Sequence, residues 1–146
     1  MVYSITYNTD GYIGAIQIPN GSTLTYDKSH RLTELRHMDK QDKLISSYGY
    51  EYDDGGYIAK ETIKQDGESL VHTYTYDTLG QVENMTVSDA SGKELSKLSY
   101  TYDLAGNKLT STETVDGKES QTRFTYDDHN RLTKLEGPDG TITYTY

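Results

Sequence analysis

The side chains in this sequence that could do chemistry are carboxylates, imidazoles and phenols. Asp and Glu number 23, His four and Tyr 15, and there is no Cys. Paired carboxylates serve glycoside hydrolysis, but in so acidic a chain pairs occur everywhere and single out no site. Asp53-Asp54 and Asp127-Asp128 could approach a cation together. Calcium takes about six to eight oxygens, more than such short turns supply alone. His30, His37, His72 and His129 lack the close local spacing of a zinc site. His30 and His129 fall in equivalent turns, one residue out of register. No serine stands in a nucleophile elbow and no Gly-rich loop opens a helix. Without Cys there is neither a thiolate nor a disulfide framework. These residues point away from an enzyme and call for no cofactor or metal. The phenols remain. Tyr50, Tyr74, Tyr100 and Tyr144 could form a row on which sugar rings stack, or they could be packing, the commoner role of aromatics in strands.

The tyrosines occur in a phrase. Tyr100-Thr101-Tyr102-Asp103-Leu104-Ala105-Gly106 recurs as Tyr74-Thr75-Tyr76-Asp77-Thr78-Leu79-Gly80 and Tyr50-Glu51-Tyr52-Asp53-Asp54-Gly55-Gly56. It recurs again as Leu24-Thr25-Tyr26-Asp27-Lys28-Ser29-His30 and Phe124-Thr125-Tyr126-Asp127-Asp128-His129-Asn130. A worn copy, Ile5-Thr6-Tyr7-Asn8, opens the chain, and Tyr144-Thr145-Tyr146 is half a copy. Aromatic-Thr-Tyr alternates with the period of a strand, so both aromatics share a face. Asp starts a turn because its carboxylate accepts downstream N–H groups. Three residues on, Gly56, Gly80 and Gly106 fit the left-handed conformation such a turn demands, and Asn130 and His30 tolerate it.

Tyr26, Tyr52, Tyr76, Tyr102 and Tyr126 stand 26, 24, 26 and 24 residues apart. The even differences allow strands to lengthen without reversing faces. Midway lies a second turn: Asn20-Gly21, Asp66-Gly67, Ser91-Gly92, Asp116-Gly117 and Pro138-Asp139-Gly140. Asp39-Lys40-Gln41-Asp42 lacks Gly and is expected to be looser. Thirteen strands follow, near 2–8, 11–18, 22–26, 31–38, 43–52, 56–65, 69–76, 81–88, 94–102, 107–115, 119–126, 131–136 and 141–146. Leu32-Thr33-Glu34-Leu35 and Val82-Glu83-Asn84-Met85 carry an i, i+3 pattern that a bulged strand accommodates as well as a helix does. A short helical turn is conceded only within 40–47.

The fold class is therefore all-β: an antiparallel hairpin meander of about 13 strands, in one domain over 1–146. A sheet this wide with no helices to cover it is expected to curl into a trough or barrel, with a thin, polar-edged core. Its short terminal strands, Val2 to Tyr7 and Ile142 to Tyr146, are edges that invite strand addition, so self-association is expected. Net charge is −9, which argues against a nucleic-acid or anionic-membrane partner. No apolar run approaches the length of a spanning helix and no signal peptide is visible.

The Tyr-Asp-x-x-Gly-Arg-Leu-Thr theme, closest at Tyr126-Asp127-Asp128-His129-Asn130-Arg131-Leu132-Thr133 with Asn130 where Gly is usual, resembles the YD repeat of Rhs-family proteins. That family includes bacterial Rhs toxins, wall-associated proteins, insecticidal toxin-complex shells and teneurins. The resemblance covers essentially the whole chain and is strongest from Tyr50 to Tyr146. It implies a sheet that spirals into a shell, often around a toxic cargo, at a secreted or cell-surface location. The structural motif residues would then be Tyr26, Asp27, Tyr52, Asp53, Gly56, Tyr76, Asp77, Gly80, Tyr102, Asp103, Gly106, Tyr126, Asp127 and Asn130. Partners would be copies of the chain, neighbouring repeats or a protein cargo. Two departures stand out. Neither Pro19 nor Pro138 fits the Asp-Pro-x-Gly self-cleavage segment of many members. Six repeats are also too few for a large shell, so a fragment, a small stand-alone relative or an engineered excerpt is expected. The alternatives are a glycan-binding surface module and a small inhibitor or immunity-like protein using a sheet edge.

Overall fold

A computed structural model describes residues 4–19 and 21–146. Thirteen strands follow in chain order. They are β1 (Ser4–Tyr7), β2 (Ile13–Ile18), β3 (Ser22–Tyr26), β4 (Leu32–Met38), β5 (Leu44–Tyr52), β6 (Ile58–Gln65) and β7 (Glu68–Tyr76). Then come β8 (Val82–Asp89), β9 (Glu94–Tyr102), β10 (Lys108–Val115), β11 (Lys118–Tyr126), β12 (Leu132–Gly137) and β13 (Gly140–Thr143). Each strand neighbours the next in sequence, from β1 to β13. The antiparallel hairpin order read from the sequence is thus the observed one. Because the order is open, the barrel alternative is set aside. The start of the first expected strand and Asn20 of the expected Asn20-Gly21 turn lie outside the described residues. Within 40–47, where a helical turn was conceded, residues 40–42 form a turn and β5 begins at Leu44.

The chain divides into two compact units, 1–72 and 73–146. In the first, paired residues form a continuous row on one face: Ile5, Ile16, Leu24, Leu35, Tyr48 and Ile63, one from each of β1 to β6. In the second, Phe124, Leu135 and Ile142 form such a row, and Met85 pairs with Leu98. The opposite face of that unit is polar, with Asn84, Ser99, Thr112 and Gln121 in register. There the Ser99 hydroxyl donates to Asn84 Oδ1 at 2.8 Å, and the Gln121 amide donates to Thr112 Oγ1 at 3.2 Å.

A return strand stands between successive motif strands, so Tyr50 and Tyr52 pair with Glu61 and Ile58, and Tyr100 and Tyr102 with Ser111 and Lys108. The expected thin core is corrected. No hydrophobic side chain among the described residues is fully buried, and the buried residues are Ser22, Ser46 and Ser47. A single layer covers each apolar row only with the neighbouring side chains of its own face.

The spacing of 26 or 24 residues has a different origin from strand length. Where it is 26, the second turn is a long loop opened by Asp39 or Asp89; where it is 24, it is the two-residue turn Asp66-Gly67 or Asp116-Gly117. Both residues of each short turn have positive φ (54° and 82°, 49° and 74°), the mirror-image turn that suits strand twist. The Asp39 loop is not loose. Asp42 stands at φ 59° where Gly would be, and Asp42 N–H donates to the Asp39 carbonyl at 3.1 Å.

Gly21 and Gly92 share a left-handed backbone, at φ 88° and 85°. A Cβ on Gly21 would lie 2.5 Å from the Met38 carbonyl oxygen, whereas one on Gly92 would meet nothing within 4 Å. Gly21→Ala is therefore expected to lower the melting temperature more than Gly92→Ala, which carries only the backbone penalty of about 1 kcal/mol. Thermal denaturation followed by circular dichroism checks this; equal losses would show that β3 and β4 separate freely at this point.

Candidate functional site

The repeating unit is a turn built on one carboxylate. In the Asp27 turn, the Asp27 Oδ1 atom accepts the N–H groups of Ser29 at 2.8 Å and Arg31 at 3.0 Å. The backbone closes twice as well: Asp27 N–H donates to the Arg31 carbonyl at 2.9 Å, and His30 N–H to the Asp27 carbonyl at 3.1 Å. Asp77, Asp103 and Asp127 repeat the arrangement, and Asn8 reproduces it with its amide oxygen. In the Asp53 turn, Tyr57 N–H donates to Asp53 Oδ1 at 2.9 Å. The left-handed position holds Gly56, Gly80, Gly106, His30 and Asn130, all with positive φ as expected. His30 occupies that position, whereas His129 precedes it and donates its N–H to Asp127 Oδ1 at 2.9 Å. Asp39 and Asp89 open the same turn, which the sequence reading missed by looking for Gly pairs. The signal was present as Asp followed three residues later by Asp42 or Gly92.

After the turns at Asp27, Asp53, Asp103 and Asp127 the return strand carries one extra residue. In the Asp27 hairpin Tyr26 pairs with Leu32 but Thr25 pairs with Glu34, leaving Thr33 unmatched. Ala59, Leu109 and Thr133 are the extra residues after Asp53, Asp103 and Asp127. The bulge returns Leu32 and Leu35 to the face of Tyr26 and Leu24. The i, i+3 pattern that could suggest a helix there is the imprint of this bulge.

The motif tyrosines join repeats. The Tyr52 hydroxyl donates to the carbonyl of Leu32 at 2.7 Å, Tyr102 to Val82 at 2.8 Å, Tyr126 to Lys108 at 3.0 Å and Tyr146 to Leu132 at 3.0 Å. Each acceptor is the first residue of the return strand in the preceding repeat. Arg31 and Arg131 reinforce the junction. Their Nε atoms donate to Asp27 Oδ2 and Asp127 Oδ2, both at 2.8 Å, while their guanidinium groups lie 4.4 Å and 4.7 Å from the Tyr52 and Tyr146 ring centroids. A planar cation can bond the carboxylate with its edge and stack with its face. Asn107 takes this place in its turn, bonding Asp103 Oδ2 and, across to the next turn, Asn130 Oδ1.

The electrostatics follow. The Arg131 N–H and guanidinium hold the Asp127 carboxyl down at about 2, and Asp27 is lowered by the same partner groups of Arg31. Asp103 is lowered chiefly by the Asn107 amide, and Asp89 by the Ser91 hydroxyl. Burial raises the phenols of Tyr102 and Tyr126 above their ordinary value.

Among the possible glycan-stacking residues, Tyr144 is 40% exposed, and Tyr50, Tyr74 and Tyr100 are half-buried. The Lys108 ammonium sits 4.0 Å from the Tyr100 ring centroid, on a face a sugar would need. His37, weighed in the sequence only as one of four histidines without zinc spacing, has a structural setting of its own. It lies in register between the buried Ser22 and Ser46, with Ser22 Oγ 2.8 Å from its Nδ1.

Two measurements test the unit. Tyr102→Phe leaves the Val82 carbonyl without its donor and should cost about 0.5–1.5 kcal/mol in urea denaturation, whereas Tyr100→Phe should change stability by less than about 0.5 kcal/mol. For Asp127, the folded value lies below that of a free aspartate, near 3.9. Its stabilising contribution is therefore present above about pH 4 and lost as pH falls toward about 2. Carboxyl resonances followed by NMR should show Asp127 titrating near 2; titration at the free value would mean the turn bonds are not formed in solution.

Residues 102–142 match the family model described as RHS Repeat. No curated protein matches the chain. Among solved structures, the chain is similar to the Photorhabdus luminescens Tc holotoxin pore (TM-score 0.54, 15% identity, 98% of this chain and 10% of that one). It is also similar to the TcdB2–TccC3 complex (TM-score 0.55, 15% identity, 91% and 10%). A porin-like protein from Bacteroides uniformis matches at TM-score 0.50 and 19% identity, over 90% of this chain and 77% of that one. The chain spans about a tenth of the toxin chains it matches. These likenesses concern the fold, and the sequence adds the repeat. Tyr-Asp turns recur along an unbroken order of hairpins, and within it residues 102–142 carry an RHS repeat.

Proposed function

We propose that this module is a non-catalytic wall or scaffold element that acts through protein–protein assembly, with copies of itself, neighbouring repeats or a protein cargo as partners. The observation that carries the reading is the use made of the repeated side chains. Asp27, Asp77, Asp103 and Asp127 are engaged in closing turns, and Tyr52, Tyr102, Tyr126 and Tyr146 in joining one repeat to the one before. Such a unit extends a sheet by repetition, each repeat resting on its neighbour. The apolar rows, with no hydrophobic side chain fully buried among the described residues, offer surface to a partner. Similarity to chains from Tc toxin assemblies supports the same reading, and a secreted or cell-surface location goes with it. The glycan-binding alternative rests on the exposure of Tyr144.

Size-exclusion chromatography with light scattering, at tens of micromolar protein, is expected to give more than one chain per particle. A strictly monomeric particle that binds oligosaccharides on a glycan array would transfer the conclusion to the second reading.

A further inference from the structure

Leucine is out of place at the tip of a tight carboxylate turn. In other repeats the two tip residues are Lys28-Ser29, Asp54-Gly55 or Asp128-His129. In two successive repeats of the second unit they are Thr78-Leu79 and Leu104-Ala105. Leu104 is 102% exposed and Leu79 70% exposed. Neither is on a loose loop. Leu79 N–H donates to Asp77 Oδ1 at 2.8 Å and Ala105 N–H to Asp103 Oδ1 at 2.9 Å, so both tips are held by their own turn. The Gln81 amide reaches the Gly106 carbonyl at 3.4 Å, tying one turn to the other.

The two leucines flank one shallow cleft whose walls include Asp77, Glu83 and Asp103. The nearby Lys108 ammonium is turned over the Tyr100 ring. An apolar pair held rigid and rimmed by carboxylates has a defined complement. It fits aliphatic side chains with cations beside them, because the leucines lose water while the cations meet the negative charge of Glu83 and of the two turn carboxylates. The spacing narrows the choice further. Equivalent positions of turns two strands apart are separated by roughly 9.5 Å, a span of the same order as the rise of about 10.5 Å over seven residues of a helix, and Leu79 and Leu104 stand at adjacent positions of two such tips.

We propose that the Leu79–Leu104 turn edge is a docking surface for a basic amphipathic helix of a partner protein, with aliphatic residues one heptad apart flanked by Lys or Arg. This surface lies at the turn tips, so it adds to the wall-building role a contact that does not depend on extending the sheet.

The probe is a fluorescein-labelled Leu/Lys helical peptide of about two heptads, with a Leu/Glu peptide and a Ser/Lys peptide as controls. Fluorescence anisotropy should show the Leu/Lys peptide binding the full chain and neither control doing so. Leu79→Ser with Leu104→Ser should weaken binding at least about tenfold. Leu104 is fully exposed and Leu79 mostly so, so the variant should keep the wild-type circular dichroism and melting temperature; the single variant Leu104→Ser, with an intermediate loss, guards against misfolding of the double. Unchanged affinity in the variants overturns the proposal, as does binding of the Ser/Lys peptide with equal strength, which would be charge attraction alone. If light scattering shows that the two substitutions dissociate a self-assembled particle while the peptide does not bind, the occupant is a second copy and the basic helix is wrong.

Discussion

One carboxylate oxygen accepting two backbone N–H groups is the constraint on which this structure depends. Reversing a chain in so few residues leaves donors pointing into the bend, and the Asp oxygen satisfies two of them without help from the rest of the protein. The left-handed residue that completes the bend can then be Gly, Asn, His or Asp, and all four occur here. That tolerance lets Asp42 complete the Asp39 turn, and at the first position the Asn8 amide oxygen stands in for the carboxylate while the hydrogen bonds persist.

From that turn the bulge follows, and from the bulge the two-faced sheet. After Asp27 the return strand carries one residue more than its partner, so that Leu32 and Leu35 meet Tyr26 and Leu24 on one side. Without the extra Thr33, Leu35 would fall on the polar side. The face thus formed places Tyr52, Tyr102, Tyr126 and Tyr146 beside the return strand of the previous repeat, within reach of its first carbonyl. A single layer cannot bury a phenol deeply, yet it can satisfy the hydroxyl and cover the ring with an arginine, as Arg31 does for Tyr52. Stability then resides in junctions between neighbours more than in a common interior, the arrangement expected of a quasi-one-dimensional repeat protein.

The division of labour between the two ends of the strands is less uniform. At the Tyr-Asp end every motif turn has the long carboxylate form. At the other end the long form at Asp39 and Asp89 alternates with two-residue turns at Asp66 and Asp116. This alternation sets the 26- and 24-residue spacing.

The sequence by itself determined the order of hairpins, the thirteen strands and the conformation of Gly80, Gly106, His30 and Asn130. These depend on chemistry within five residues: an Asp, its downstream N–H groups and a residue able to turn left. Only the tertiary structure decided what the tyrosines hold, why Gly21 cannot carry a Cβ, and which leucines stand bare. Tyr52 finds Leu32 across 20 residues, Tyr126 finds Lys108 across 18, and Gln81 reaches Gly106 across 25. The register that brings these together is set by single extra residues such as Thr33 and Leu109, and an alternating pattern of apolar and polar residues does not show where a strand gains one. The expected core failed for a related reason. Composition counts apolar side chains, but whether they are buried depends on a second layer, and among the described residues the strands form one.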